Sequence, residues 1–274
     1  MKSKINEEDY VEGKNTFDDS VEFIFKSDML GNMKFSNGWM MAFATRYTNT
    51  CNRIGKIKRD GIEDTIKILD LGCGEKTFYT FWCKNFESPG RPRLDYVGLE
   101  FRQDVVDRAN ASNTKSKVNS SEVLQFNLVK QSLKEANRFE KYDVILMQEI
   151  LEHIPAETVK KIIAEAHELL TDRGFIVASS PNPRKEEGQE FVWPENHVQE
   201  FSLDEMKEML EPYFEIERVN GWLGKAQKFK KNLTESQREE YNAYNNISSG
   251  FAGSLIAYRY PEHAVCYTII GSKK

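Results

Sequence analysis

The chain has 274 residues, 39% of them hydrophobic and 30% charged, and a formal net charge of -5. That size and mix fit one large domain or a core with a cap, and the acidic balance argues against a dedicated nucleic-acid surface, which is usually basic. No apolar run reaches membrane-span length and Met1-Lys2-Ser3-Lys4 leads into polar residues, so no membrane partner and a cytoplasmic location are expected. Cys51, Cys73, Cys83 and Cys266 form no Cys-x-x-Cys pair, which gives no sign of a disulfide framework or a zinc cluster.

In chain order, residues 1–13 are charged. Apolar residues over 21–25 and 39–54 (Trp39, Met40, Phe43, Tyr47, Cys51, Ile54) fall at helical spacing. This predicts a helical N-terminal cap over 1–62 and a core over 63–274. The core opens on Ile68-Leu69-Asp70-Leu71-Gly72-Cys73-Gly74, with a helical pattern behind it at Thr77, Phe78, Phe81 and Trp82. Such a stretch is a buried parallel strand that runs into a turn whose bare glycines admit a ligand to the main-chain N–H groups. A dinucleotide fingerprint needs a third glycine three residues after Gly74, where Thr77 stands, and a P-loop needs Gly-Lys-Ser/Thr. The ligand class that remains has a nucleoside and a small zwitterion but no pyrophosphate, which describes S-adenosylmethionine.

A breaker-rich loop, Ser88-Pro89-Gly90-Arg91-Pro92, precedes the second strand at 94–100. That strand ends in Glu100, a carboxylate able to accept hydrogen bonds from two ribose hydroxyls. Phe101 stands beside it, either against an adenine face or as an ordinary boundary aromatic. A helix at Val105, Val106 and Ala109 and a strand at Val123, Leu124 and Phe126 complete one half of a doubly wound sheet. The strand at 144–147 then runs into Gln148-Glu149-Ile150-Leu151-Glu152-His153-Ile154-Pro155. This string lies at the carboxyl end of the sheet, where doubly wound folds place ligands. Pro155 suits the first turn of the next helix, whose apolar face is Val159, Ile162, Ile163, Ala166 and Leu170.

After a fifth strand comes Ser180-Pro181-Asn182-Pro183 and a loop that ends near His197; Ser202 and Glu205 then form a helix capping box. A strand at 214–219, an insertion over about 222–260 and a final strand at 264–270 close the chain. Thr234 and Gln237 make a second capping box inside the insertion. Lys225, Lys228, Lys230 and Lys231 form either a solvated face or an anion-attracting patch, and the aromatic run at 251–260 is a candidate substrate wall.

Five motifs in order resemble the Rossmann-like, S-adenosylmethionine-dependent methyltransferases. They are Asp70-Leu71-Gly72-Cys73-Gly74, the acid Glu100, Phe126-Asn127-Leu128, the strand 142–149, and the helix-to-strand turn 170–179. The resemblance implies a doubly wound, seven-stranded, mostly parallel α/β sheet with an antiparallel last strand, a helical N-terminal cap and a helical insertion before the last strand. It implies S-adenosylmethionine as cofactor, with Asp70, Gly72, Cys73, Gly74, Glu100, Phe101, Asn127, Leu128 and Gln148 as its binding residues. It also implies that the segment before the first strand can close as a lid, with Tyr10, Phe17, Phe35 and Trp39 as aromatic contacts. Lys76 departs from the family's frequent third glycine, and Asn127 stands where an aspartate is usual for the adenine amino group.

The 149–153 string is similar to the Glu-x-x-Glu-His signature of small-molecule methyltransferases, where His153 would be a general base with Glu149 and His197 beside it. It is also similar to the string of small-RNA 3′-terminal 2′-O-methyltransferases, which hold a metal with two glutamates and two histidines; here those are Glu149, Glu152, His153 and His197. The favoured expectation is a metal-free enzyme acting on an oxygen, nitrogen or carbon of a small molecule. A nucleic-acid methyltransferase and a non-catalytic cofactor-binding subunit are the alternatives, and the sequence sets no oligomeric state.

Overall fold

The computed structural model describes residues 38–59, 65–87, 91–112, 116, 119–136, 138–183, 197–222, 233–245 and 249–274. Seven strands form one sheet in the order β3-β2-β1-β4-β5-β7-β6. They are β1 Thr65–Leu71, β2 Arg93–Glu100, β3 Ser120–Gln125, β4 Tyr142–Gln148, β5 Leu170–Pro181, β6 Phe214–Trp222 and β7 Cys266–Lys273. The first five are parallel, and β7 runs antiparallel between β5 and β6. The expected mixed sheet with its reversed last strand is therefore present.

Central strands read as near-continuous apolar runs because helices cover both faces. On one face Tyr47, Cys51, Ile54 and Ile57 of α1 (Gly38–Arg59) share a core with α2 (Thr77–Asn85) and α3 (Gln103–Ala111). On the other face α4 (Ala156–Leu169) and α5 (Leu203–Leu210) pack with Leu69, Leu71, Ile145 and Met147. β3 and β6 form the two edges of the sheet, and both carry exposed residues. The insertion holds α6 (Glu235–Asn245) and α7 (Ser249–Arg259), which enclose Leu233, Tyr241, Ile256 and Ala257 and are pinned by Tyr260 Oη donating to Glu240 at 2.9 Å.

Both capping boxes form: Ser202 and Glu205 exchange bonds at the start of α5, and Thr234 and Gln237 do so before α6. Several boundaries differ from the sequence reading. Pro155 sits at the N-cap of α4 in an extended conformation, so the helix starts at Ala156. Leu170 opens β5 rather than closing the helical face. β6 and β7 each run about three residues further because their antiparallel ladder pairs Phe214 with Lys273 and Trp222 with Cys266. The cap boundary at 62/63, the helix at 21–25, the aromatics Tyr10, Phe17 and Phe35, and Lys225, Lys228, Lys230 and Lys231 lie outside the described residues, as do the side chains of Trp39 and Phe251.

β1 pairs with β2 on one side and β4 on the other. Strand order therefore reverses between β1 and β4, and this is where open α/β sheets leave a crevice beyond the carboxyl ends of the strands.

Candidate functional site

At the end of β1 the chain turns through Gly72 at φ 66 and Gly74 at φ 53. Both lie in the left-handed region that glycine enters without steric cost. A Cβ at Gly74 would meet nothing within 4 Å, so there is open room beside that turn. Glu100, at the tip of β2, ties the turn down: Gly74 N donates to Oε2 at 3.2 Å and Arg102 N to Oε1 at 3.0 Å. Burial raises the Glu100 carboxyl pKa, and the amides of Arg102 and Gly74 oppose the rise. Asp70 is buried and accepts from Tyr96 Oη at 2.6 Å. Its pKa is pushed up to about 7 by burial, against the pull of Tyr96 and Arg46.

The remaining donor-side residues divide. Cys73 is buried, with its amide bonded to Leu99 O at 3.0 Å. Phe101 is half-buried beside Glu100. Leu128 is buried in the core on the α4 face. The Asn127 carbonyl oxygen accepts from Val129 N at 2.9 Å and Lys130 N at 3.2 Å, so it already serves a local turn. Gln148 Nε2 reaches Thr50 Oγ1 of α1 at 3.4 Å. Lys76 adopts φ 51 before α2, and its ammonium leads away to Ser121 Oγ at 3.4 Å and over the Tyr79 ring.

Directly after β4 stands Glu149, which holds φ 55, a left-handed conformation a carboxylate side chain rarely takes. Non-glycine residues in that region cluster at functional sites, where the surroundings enforce them. Here Glu149 N donates to Ser179 O at 3.0 Å, Ser179 Oγ donates to Glu149 Oε1 at 2.7 Å, and Arg46 Nη1 lies 3.5 Å from the same oxygen. Arg46 is 4% exposed, with its guanidinium over the Tyr47 and Trp222 rings. Burial raises the Glu149 carboxyl pKa while Arg46 and Ser179 pull it down.

Glu152 and His153 follow in a 3-10 turn at Leu151–His153, only 2% and 8% exposed. Far along the chain, His197 is brought onto them by main-chain bonds: Val198 N and Gln199 N both donate to Glu152 O, at 2.9 and 3.2 Å. Gln199 Nε2 adds a bond to Ile154 O. The two imidazoles meet edge to face with centroids 5.0 Å apart. Glu152, His153 and His197 each offer one ligand atom, all within 4.8 Å of one another. Glu152 Oε2 is buried with no hydrogen-bond partner, and burial together with repulsion from Glu149 raises its carboxyl pKa far above the ordinary value. Glu200 accepts from or shares a proton with His197 Nδ1 at 2.7 Å and adds a third carboxylate.

A buried, unpartnered carboxylate oxygen beside two imidazoles fits a cation, because burying such charge uncompensated is expensive. Two imidazoles and one carboxylate also form a donor set that leaves positions open on a divalent metal. Sequence reasoning brought Glu149, Glu152, His153 and His197 to this site, but it missed Arg46, Ser179 and Glu200. Glu200 stands three residues after His197, a spacing that was visible; Arg46 and Ser179 reach Glu149 only through tertiary packing.

A family profile of the methyltransferase domain matches residues 21–213 of this chain. Among solved structures, the methyltransferase domain of bacterial CtHen1-CN superposes with a TM-score of 0.51 at 14% identity, covering 84% of this chain and 99% of that one. The cyclopropane synthase MmaA2 from Mycobacterium tuberculosis gives 0.50 at 15% identity, covering 78% and 80%. The (4+2)-cyclase SpnF gives 0.51 at 15% identity, covering 86% and 94%. At these identities the likeness is one of fold. No curated protein matches the sequence.

Proposed function

The chain belongs to the methyltransferase-domain family, enzymes with S-adenosylmethionine as cofactor, and from that premise we propose that it methylates a hydroxyl oxygen of a small-molecule acceptor with help from a divalent ion. The observation that carries the ion is the buried Glu152 carboxylate, one oxygen unpartnered, against His153 and His197. This departs from the metal-free expectation, which treated His153 as a base. The net charge of -5 favours a small acceptor over a polyanion.

S-adenosylmethionine supplies a methyl group on a sulfonium, already activated as a leaving group. Glu100 would accept the ribose hydroxyls while it keeps the glycine turn in place, and the open space beside Gly74 supports a ligand there. Glu152, His153 and His197 would hold the divalent ion, whose chemistry is to lower the pKa of a bound hydroxyl. Glu149 stands beside them with Oε1 fixed by Ser179 and Arg46, so its other oxygen is left to take the acceptor proton. The rest of the catalysis is alignment of the two reactants and exclusion of water.

The test uses protein purified without a histidine tag. Elemental analysis should find about one equivalent of divalent ion. Methyl transfer from labelled S-adenosylmethionine to a panel of hydroxylated small molecules should stop on chelation and return with Mn2+ or Co2+. Transfer that survives chelation and the Glu152→Gln substitution would sink the metal. Labelling confined to RNA ends would sink the small acceptor.

A further inference from the structure

We propose that Glu200 is a positioning residue of this site: its carboxylate accepts the hydrogen bond from His197 Nδ1–H and so fixes the tautomer in which Nε2 holds the lone pair. The inference deepens the metal reading of Glu152, His153 and His197 and rests on it for its consequence, though not for its geometry.

The geometry begins with the backbone. Glu152 O anchors Val198 N and Gln199 N, which sets where His197 and Glu200 lie on either side of the clamp. His197 and Glu200 are 13% and 7% exposed at their side chains, so the 2.7 Å contact between Nδ1 and Oε1 is shielded from water. A neutral imidazole has one N–H and one lone pair, and a carboxylate only accepts. The proton therefore belongs on Nδ1, and Nε2 is the nitrogen left to bind. An acid just ahead of the Ser202 N-cap has an obvious alternative use in favouring the start of α5, but the hydrogen bonds at that cap come from Ser202 and Glu205. Glu200 instead bonds to His197. Carboxylate partners of this kind fix imidazole orientation and raise its basicity as a ligand.

The experiment reads His197 by nitrogen-15 NMR in the full, metal-free chain, at about pH 8.5, where an ordinary imidazole is neutral. The chain has 4 histidines, so His197→Gln assigns the signal. Co2+ affinity is then measured by calorimetry. The wild type should show the Nδ1–H tautomer. Glu200→Gln should keep it, because the amide oxygen accepts the same proton, and should bind Co2+ only a few-fold more weakly. Glu200→Ala should lose the tautomer preference and bind Co2+ about 10–100-fold more weakly. An Nε2–H tautomer in the wild type, or a tautomer indifferent to Glu200→Ala, overturns the proposal. A wild type that binds no Co2+ while its tautomer still depends on Glu200 overturns the metal reading and leaves the positioning role standing.

Discussion

Ile150 lies directly on the bare Cα of Gly72: a Cβ built there would be 2.5 Å from Ile150 Cδ1. The Gly72–Gly74 turn and the string that carries Glu149, Glu152 and His153 are thus in van der Waals contact. Gly72 is fixed by two constraints at once, its positive φ and this neighbour. Gly72→Ala should weaken S-adenosylhomocysteine about five- to thirty-fold, because the turn must shift off a left-handed geometry that costs an alanine roughly 1–2 kcal/mol and away from Ile150. Adding Ile150→Ala should recover part of the affinity by relieving the clash but not the strain. Calorimetry on the two single variants and the double variant checks this, and full affinity in Gly72→Ala would refute it.

Glu100→Ala removes the acceptor for Gly74 N and Arg102 N and, in the proposed cofactor mode, for the ribose. Hydrogen bonds to a charged group are worth about 1.5–3 kcal/mol each. The expected outcome is a loss of S-adenosylhomocysteine affinity of ten-fold or more, measured by calorimetry. Unchanged binding would remove Glu100 from the cofactor site.

Asp70 links stability to pH. Its folded pKa of about 7 lies above the ordinary aspartate value of 3.8, so between those values the folded state holds the proton that the unfolded state has lost. Its contribution is full below about pH 4 and is lost as pH rises through about 7. Asp70→Asn, which mimics the protonated form, should flatten the fall in melting temperature between those limits relative to wild type. Parallel slopes in the two proteins would show that Asp70 does not carry the effect. Other raised carboxylates act with the same sign, so the difference between the two proteins is the readout.

Glu152→Gln should separate function from stability. In chelator it removes the cost of keeping a buried, unpartnered carboxyl protonated and should raise the melting temperature, by the equivalent of roughly 1–3 kcal/mol. It should at the same time abolish divalent-ion binding. A lower melting temperature in chelator would mean that the carboxylate is compensated without an ion.

Arg46→Met leaves the Glu149 carboxylate, 21% exposed, without its guanidinium, at a cost of at most about 3–5 kcal/mol. Combining it with Glu149→Gln should return much of that stability, as a thermal or denaturant double-mutant cycle would show. Additive losses would argue that Arg46 stabilises through the Tyr47 and Trp222 rings instead.

The parts of the site that were legible in sequence are those set by short stretches. A buried strand that breaks at Gly72 and Gly74 and a second strand that ends in Glu100 announce themselves locally, and they fix the sheet order around β1. Asn127 was legible in position but not in use, because an asparagine oxygen bonds readily to amides two and three residues ahead, as it does here with Val129 and Lys130. Arg46 was hidden for a different reason. On an amphipathic helix an arginine counts as solvent-facing, whereas here the rings of Tyr47 and Trp222 and the charge of Glu149 lie against it. His197 could be named but not placed, since its approach to His153 depends on two main-chain bonds to Glu152 O.

Those two bonds have an evolutionary consequence. They are made by backbone atoms, which every residue but proline supplies at positions 198 and 199. The histidine is therefore delivered to its place with little dependence on which side chains surround it. Side chains at 198 and 199 can drift without dislodging His197, so long as neither becomes proline.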